Sequence, residues 1–199
     1  MTQTRRGRPR KFEETEVLER ALALFWRQGY SGTSLDDLSA ATGLNRPSLY
    51  AAFGNKKDIF TAALRRFQGK VTEAALQRLA QAEGRKARVL AILETALDIY
   101  TGDDSNQSLG CFVISTVPAE ALQDADMMLE LSRMQRQMDK GLCNVLAEGA
   151  EPDQATRDLA AMLATVLFGL SARARAGTPR TELTRLARLA VAQLVPDAQ

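Results

Sequence analysis

Wherever this 199-residue chain shows a pattern, its apolar residues recur every three or four positions. That spacing gathers them on one face of an α-helix, which turns once in 3.6 residues. A strand needs alternation of period two, and no Val/Ile-rich run of that kind extends over several residues. The expected class is all-α. Glycines and capping residues cut the pattern into elements. From Glu13 to Gln28 the apolar positions are Val17, Ala21, Leu24 and Phe25, and Gly29 ends the run. Ser34 then opens a short helix, with Asp37 three residues on as a capping box requires. Leu35, Leu38 and Ala41 form its buried side, and Gly43 closes it in the left-handed conformation glycine tolerates. Asn45 is a good N-cap for a third helix, which accepts Pro47 in its first turn. Leu49, Ala52 and Phe53 face the core from there. Gly54 and Asn55 break the chain again before a long helix from Lys56 toward Gln81.

Longer helices follow. One is expected from about Arg85 to Thr101, then a polar loop over 102–108. Gly110 to Thr116 is short and apolar, and is read as a helical turn because no strand lies near to pair with it. Three more helices are expected over 120–148, 152–176 and 180–195.

Composition removes whole classes of chemistry. The chain has no histidine, so it holds no Ser-His-Asp or Cys-His nucleophile pair and no His-ligated metal. Two cysteines, Cys111 and Cys143, make neither a zinc site nor a disulfide framework. No cofactor and no metal is expected. The N-terminus is basic and lacks the apolar run of a signal peptide, and no uncharged apolar stretch approaches a membrane span. A cytoplasmic protein without a membrane partner is the expectation.

Charge and aromatic residues are segregated. Residues 1–70 carry 13 Lys/Arg against 7 Asp/Glu, a net +6, whereas residues 71–199 carry 13 against 17, a net −4. One end suits a polyanion and the other does not. Eight of the eleven aromatics also lie in the first 70 residues, as a small domain with its own core requires. The expected organisation is a basic arm at 1–11, a DNA-binding domain at 12–60 and a helical domain for effector binding and dimerisation at 61–199.

Helix, short helix, glycine turn and helix is the helix-turn-helix order. Its second short helix enters the major groove by its N-terminal end. Here that end reads Asn45-Arg46-Pro47-Ser48-Leu49-Tyr50. Arg46 can form a bidentate contact with guanine O6 and N7. Ser48 reaches a base edge or a phosphate, Pro47 packs on a thymine methyl, and Tyr50 offers its hydroxyl to a phosphate. Lys56 opens the next helix, where amides and the helix dipole also favour a phosphate. Thr33 and Ser34 stand at the other helix start. The arm adds Arg5, Arg6, Arg8 and Arg10, and its Arg-Gly-Arg-Pro-Arg run is similar to an AT-hook core, which suits a narrow A·T-rich minor groove. The same run can also act only as a basic tail that attracts phosphate.

The run from Ala21-Leu22 through Leu24-Phe25-Trp26, Gly29-Tyr30, Thr33-Ser34-Leu35, Leu49-Tyr50, Phe53 and Lys56 to Ile59-Phe60 resembles the TetR family of transcriptional regulators. The resemblance implies a homodimer that binds a palindromic operator, usually represses, and leaves the DNA when a small molecule enters the C-terminal domain. Carried over by motif, Thr33, Tyr50 and Lys56 contact phosphates, and Arg46, Pro47 and Ser48 read bases. Ala51 and Ala52 depart from the larger residues many members carry after the tyrosine, which shifts weight onto Arg46, Ser48 and the arm.

In the C-terminal part, Leu159, Met162, Leu163, Val166 and Leu170 form one stripe, and Leu183, Leu186, Ala190 and Leu194 another. Two such helices from each protomer make a four-helix bundle across a two-fold axis, where the family places its dimer interface. The same stripes can serve the protomer's own core. Tyr100, Phe112, Met127, Met134, Met138 and Phe168 are candidates for an effector pocket. Methionine accommodates varied ligands, and an apolar or neutral effector is favoured because no charged anchor stands out. Cys111 sits in a Gly-Cys-Phe-Val run similar to one in a subset of the family, and is read first as a small buried hydrophobe. Two other readings remain: an architectural binder of A·T-rich DNA, and a small helical enzyme. The latter lacks histidine, a metal cluster and a phosphate-binding glycine loop.

Overall fold

The computed structural model describes residues 10–102 and 108–196, with side chains from residue 14 onward. Among the described residues every regular element is helical: α1 (Arg10–Gln28), α2 (Leu35–Thr42), α3 (Arg46–Phe53), α4 (Lys56–Leu79), α5 (Arg85–Thr101), α6 (Phe112–Ala121), α7 (Ala125–Ala147), α8 (Gln154–Arg175) and α9 (Arg180–Leu194). The chain divides into two compact units, Met1–Gln68 and Gly69–Gln199, with the boundary inside α4.

Two helix boundaries differ from expectation. α1 begins at Arg10 rather than Glu13. No glycine or proline interrupts 10–15, so nothing in the sequence stops the helix from starting earlier. The helix expected over 120–148 starts instead at Ala125 as α7, divided from α6, to which Glu120 and Ala121 belong. Asp124 makes the division: its carboxylate accepts from the amides of Asp126 (2.9 Å) and Met127 (3.2 Å) and so caps a new helix. Gly110 to Thr116 leads into α6 and contains no strand.

The first unit is built on aromatic side chains. Phe25, Phe60, Leu38, Leu49, Ile59 and Leu64 are fully buried. Phe25 meets Phe60 edge-on, with ring centroids 5.1 Å apart, and Tyr30 does the same. Trp26 meets Phe67 in the same way. Burying a side chain of this size contributes roughly 1.5–3 kcal/mol, so a few of them hold a small domain together.

In the second unit α7 packs on α6 and α8, and α5 packs on α8 and α9. Leu93, Leu97, Phe112, Met127, Leu142, Leu163, Leu167 and Leu183 are buried between them. Ion pairs line the α5–α9 seam, where Asp98 meets Arg180 and Glu94 meets Arg188 at 3.2 Å, and Asp98 also takes Arg78 of α4. Among the described helices α8 is long and apolar enough to cross a membrane by length and composition, although its uncharged stretch, between Asp158 and Arg173, is shorter than a span, in keeping with the expectation. Its Ala160, Leu163, Ala164, Leu167 and Leu170 are buried in the helical bundle, as in a core helix.

Candidate DNA interface

Gly29 ends α1 with a φ of +76°, a conformation that L side chains rarely adopt. The turn that follows is closed by Thr33, whose hydroxyl donates to the Gly29 carbonyl at 2.7 Å. Thr33 is 1% exposed. The expectation that its hydroxyl meets a phosphate is therefore corrected: the hydroxyl is buried and bonded to the backbone. Ser34 builds the expected capping box, its hydroxyl accepting from the Asp37 amide while the Asp37 carboxylate accepts from the Ser34 amide. The Ser34 hydroxyl and then its amide, both donating to the Asp37 carboxylate, hold that carboxyl below its usual range, with a smaller contribution from Lys56.

Gly43 closes α2 at φ +75°, and Asn45 caps α3 by accepting from the Ser48 amide at 2.9 Å. Asn45 is thus occupied by the helix start. α3 then inserts a single fully buried side chain, Leu49. Arg46, Pro47, Ser48, Tyr50, Ala51 and Ala52 are all exposed, and Phe53 is half-buried. Ala52 was expected in the core. It stands outside because Leu49 alone fills the contact of this short helix. Tyr50 is 48% exposed.

Asn55 starts α4 by accepting from the amides of Lys57 (2.8 Å) and Asp58 (3.2 Å), and Asp58 returns a bond to the Asn55 amide. This cap places Lys56 at the helix start, with its ammonium 4.3 Å from the centroid of the Tyr30 ring. A cation held over an aromatic face keeps a defined direction. Sequence reasoning had missed Tyr30 in this role and also missed Asp36. The Asp36 carboxylate takes Arg46 by two bonds, from Nε at 2.8 Å and from Nη2 at 2.5 Å. It holds the Arg46 guanidinium still more firmly protonated than usual. Ten residues separate the two, and no helical spacing pairs them. Arg5, Arg6 and Arg8 lie outside the described residues, as does the side chain of Arg10, the first residue of α1.

The second unit sorts the remaining candidates by depth. Tyr100, Phe112, Met127 and Met134 are buried, while Met138 and Phe168 are half-buried. Of the interface candidates, Leu163, Leu170 and Leu183 are fully or almost fully buried in their own protomer, which removes them from any outward face. Leu159, Val166, Leu186, Ala190 and Leu194 are half-buried. Met162 and Leu189, at 51% and 50%, are the large apolar side chains that α8 and α9 leave exposed.

Cys111 lies beside the buried Tyr100, its amide donating to the Ser171 hydroxyl oxygen at 2.7 Å. Gly110, at φ +66°, leaves room for this approach. A Cβ there would stand 2.7 Å from the Ser171 carbonyl oxygen. Burial pushes the Cys111 thiol above its usual range, and Cys143 is buried as well. The thiolate is the nucleophile, so both cysteines should resist iodoacetamide at pH 7.5 in the folded protein and react within minutes in urea. Rapid labelling of Cys111 in the native chain would show that it is open to electrophiles.

A family model described as bacterial regulatory proteins, tetR family, matches residues 17–63. The HTH-type transcriptional repressor ComR of Escherichia coli K12 is 32% identical over 188 residues, covering 92% of this chain and 89% of that protein. The HTH-type transcriptional repressor BdcR of the same organism is 26% identical over 184 residues, covering 92% and 90%. Among solved structures, a cysteine mutant of the TetR family transcriptional regulator CifR, complexed with 26bp double-strand operator DNA, is 31% identical. It superposes with a TM-score of 0.78 over 94% of this chain and 99% of that one.

Proposed function

The chain belongs to the TetR family of bacterial regulatory proteins, and on that premise we propose that it is a ligand-responsive repressor that binds a palindromic operator as a homodimer. The observation that carries the reading is α3. It spends one side chain, Leu49, on the core and turns Arg46, Pro47, Ser48 and Tyr50 outward, each able to contact a base edge or a phosphate. Lys56 supplies a directed positive charge at the start of the next helix. The arm at 1–11 adds phosphate attraction and a minor-groove contact beside the major-groove helix. The assignment is a DNA-binding domain at 12–60 and an effector-binding and dimerisation domain at 61–199.

Dimerisation joins the outward faces of α8 and α9. The buried leucines of the sequence stripes give way there to Ala161, Met162, Thr165, Gly169 and Leu189. Small residues let helices approach closely, and a two-fold axis makes one face serve both protomers. The effector, an apolar or neutral molecule, enters among Tyr100, Phe112, Met127, Met134, Met138 and Phe168. The protein is a regulator without catalytic activity of its own, and acts in the cytoplasm where the bacterial chromosome lies.

The test is selection of duplexes from a random-sequence pool by the full-length protein, followed by titration at several salt concentrations. A regulator enriches one palindrome, binding it on the order of a thousandfold or more tighter than unrelated duplex. Arg46→Ala should then relax the preference at one guanine of each half-site by roughly 5- to 100-fold, the value of a good bidentate contact. Enrichment of A·T-rich duplexes without a shared palindrome would favour an architectural binder.

A further inference from the structure

An arginine reads guanine only when its guanidinium is both in reach and correctly turned. The group has two forked edges. The side edge carries the Nε hydrogen and one hydrogen of Nη2, and the end edge carries one hydrogen each of Nη1 and Nη2. Guanine offers O6 and N7 as adjacent acceptors, which match one such edge. A free arginine side chain on a helix surface samples many rotamers, and binding must order it at a cost in entropy.

Asp36 lies in the first turn of α2, where an acid is favoured by the helix dipole. Arg46 is the first residue of α3. The carboxylate occupies the side edge of the guanidinium, with Oδ1 on Nε and Oδ2 on Nη2. The end edge, with Nη1, is left unbonded by Asp36. Both partners are well exposed, 53% for Arg46 and 74% for Asp36, so the pair adds little to stability. An acid on a DNA-facing surface also repels phosphate. Leu38 and Leu49, on the same two helices, are fully buried, so the core of this unit does not depend on the exposed pair.

We propose that Asp36 is a positioning residue for base reading, gripping Arg46 by its side edge so that the end edge is presented to guanine O6 and N7. The inference rests on the reading of α3 as the operator-reading helix. It also makes Asp36 a specificity determinant that works through Arg46 without touching the base. Because the acid repels phosphate generally and aids one base contact, its removal should affect specific and nonspecific binding in opposite directions.

The experiment uses the full-length protein, the palindrome selected from the random pool, and all single-base variants of one half-site. Asp36→Asn and Asp36→Ala are compared with wild type and Arg46→Ala, together with a duplex of unrelated sequence. Both Asp36 variants should bind unrelated duplex at least as tightly as wild type. At the guanine that Arg46→Ala identifies, their preference should fall by about 2- to 10-fold, the scale of ordering one long side chain. In the Arg46→Ala background Asp36→Asn should leave the base preference unchanged, since there is nothing left to position. Unchanged thermal midpoints and helical circular dichroism separate this loss from misfolding. Four results overturn the proposal. If Asp36→Asn raises affinity for every duplex equally and keeps the guanine preference, Asp36 only repels phosphate. If it sharpens the preference, Asp36 sequesters Arg46 from DNA. If a palindrome is selected but Arg46→Ala moves no base preference, the positioning role falls while the regulator reading stands. Selection of no common sequence overturns the regulator reading and this inference with it.

Discussion

A Phe25→Ala chain is expected to lose its N-terminal unit to unfolding while its C-terminal helices remain folded. Phe25 is fully buried, and its ring centroid lies 5.1 Å from that of Phe60 and 6.2 Å from that of Tyr30. Truncating such a ring in a close-packed core costs about 3–5 kcal/mol, because transfer energy is lost and the cavity cannot fully collapse. A domain of this size starts from a small total, on the order of 5 kcal/mol. The chain's one tryptophan makes the test local. Trp26 packs on Phe67 in the same unit, with ring centroids 5.1 Å apart, so its fluorescence reports that unit alone. In a urea titration the fluorescence transition should move far toward low urea, while much of the far-ultraviolet circular dichroism persists to the original midpoint. Operator binding should vanish at the same time. A single transition shifted equally in both signals would show that the two units unfold as one.

Gly169→Glu should have the largest effect on function with the least effect on the protomer. Gly169 lies on the exposed side of α8, and a Cβ built there meets nothing within 4 Å. A mid-helix glycine is also the poorest residue for the helix after proline, so the change favours α8 by about 1 kcal/mol. On the proposed two-fold face, however, each protomer would bury a new carboxylate near its symmetry mate. An unpaired charge in such a contact costs roughly 3–5 kcal/mol, enough to raise the dimer dissociation constant by a hundredfold or more. Sedimentation should find a folded monomer at micromolar concentration, with operator affinity lost because one head no longer recruits the other. A dimer of unchanged strength would place the interface elsewhere. Leu163→Ala provides the contrast. Leu163 is fully buried in its own protomer, so the change should lower stability by about 2–5 kcal/mol whatever the oligomeric state.

How much of the interface could be read in advance depended on the range of each interaction. Ser34 with Asp37, Asn45 with Ser48, and Gly43 in a left-handed turn are local devices. Their partners lie within three or four residues, so the order of residue types reveals them. Thr33 was misread because its hydroxyl has a backbone partner four residues back, at Gly29, and a sequence cannot say whether a hydroxyl faces that carbonyl or the solvent. Ala52 was misread because helical spacing names a face but not its width. In a helix of eight residues, one buried leucine was enough.

By itself, then, the sequence determined the all-helical class, the caps and glycine stops that cut the chain, the basic head, and the family to which the order of residues belongs. These follow from local sterics, short hydrogen bonds and composition, none of which needs a distant partner. Tertiary structure alone decided which side of each apolar stripe is core. It sent Leu163, Leu170 and Leu183 inward and left Met162 and Leu189 outside. It alone brought Asp36 to Arg46 and Tyr30 to Lys56. Those meetings depend on how one helix crosses another, and that angle is set by the burial of Phe25, Leu38, Leu49 and Phe60 together rather than by any spacing along the chain.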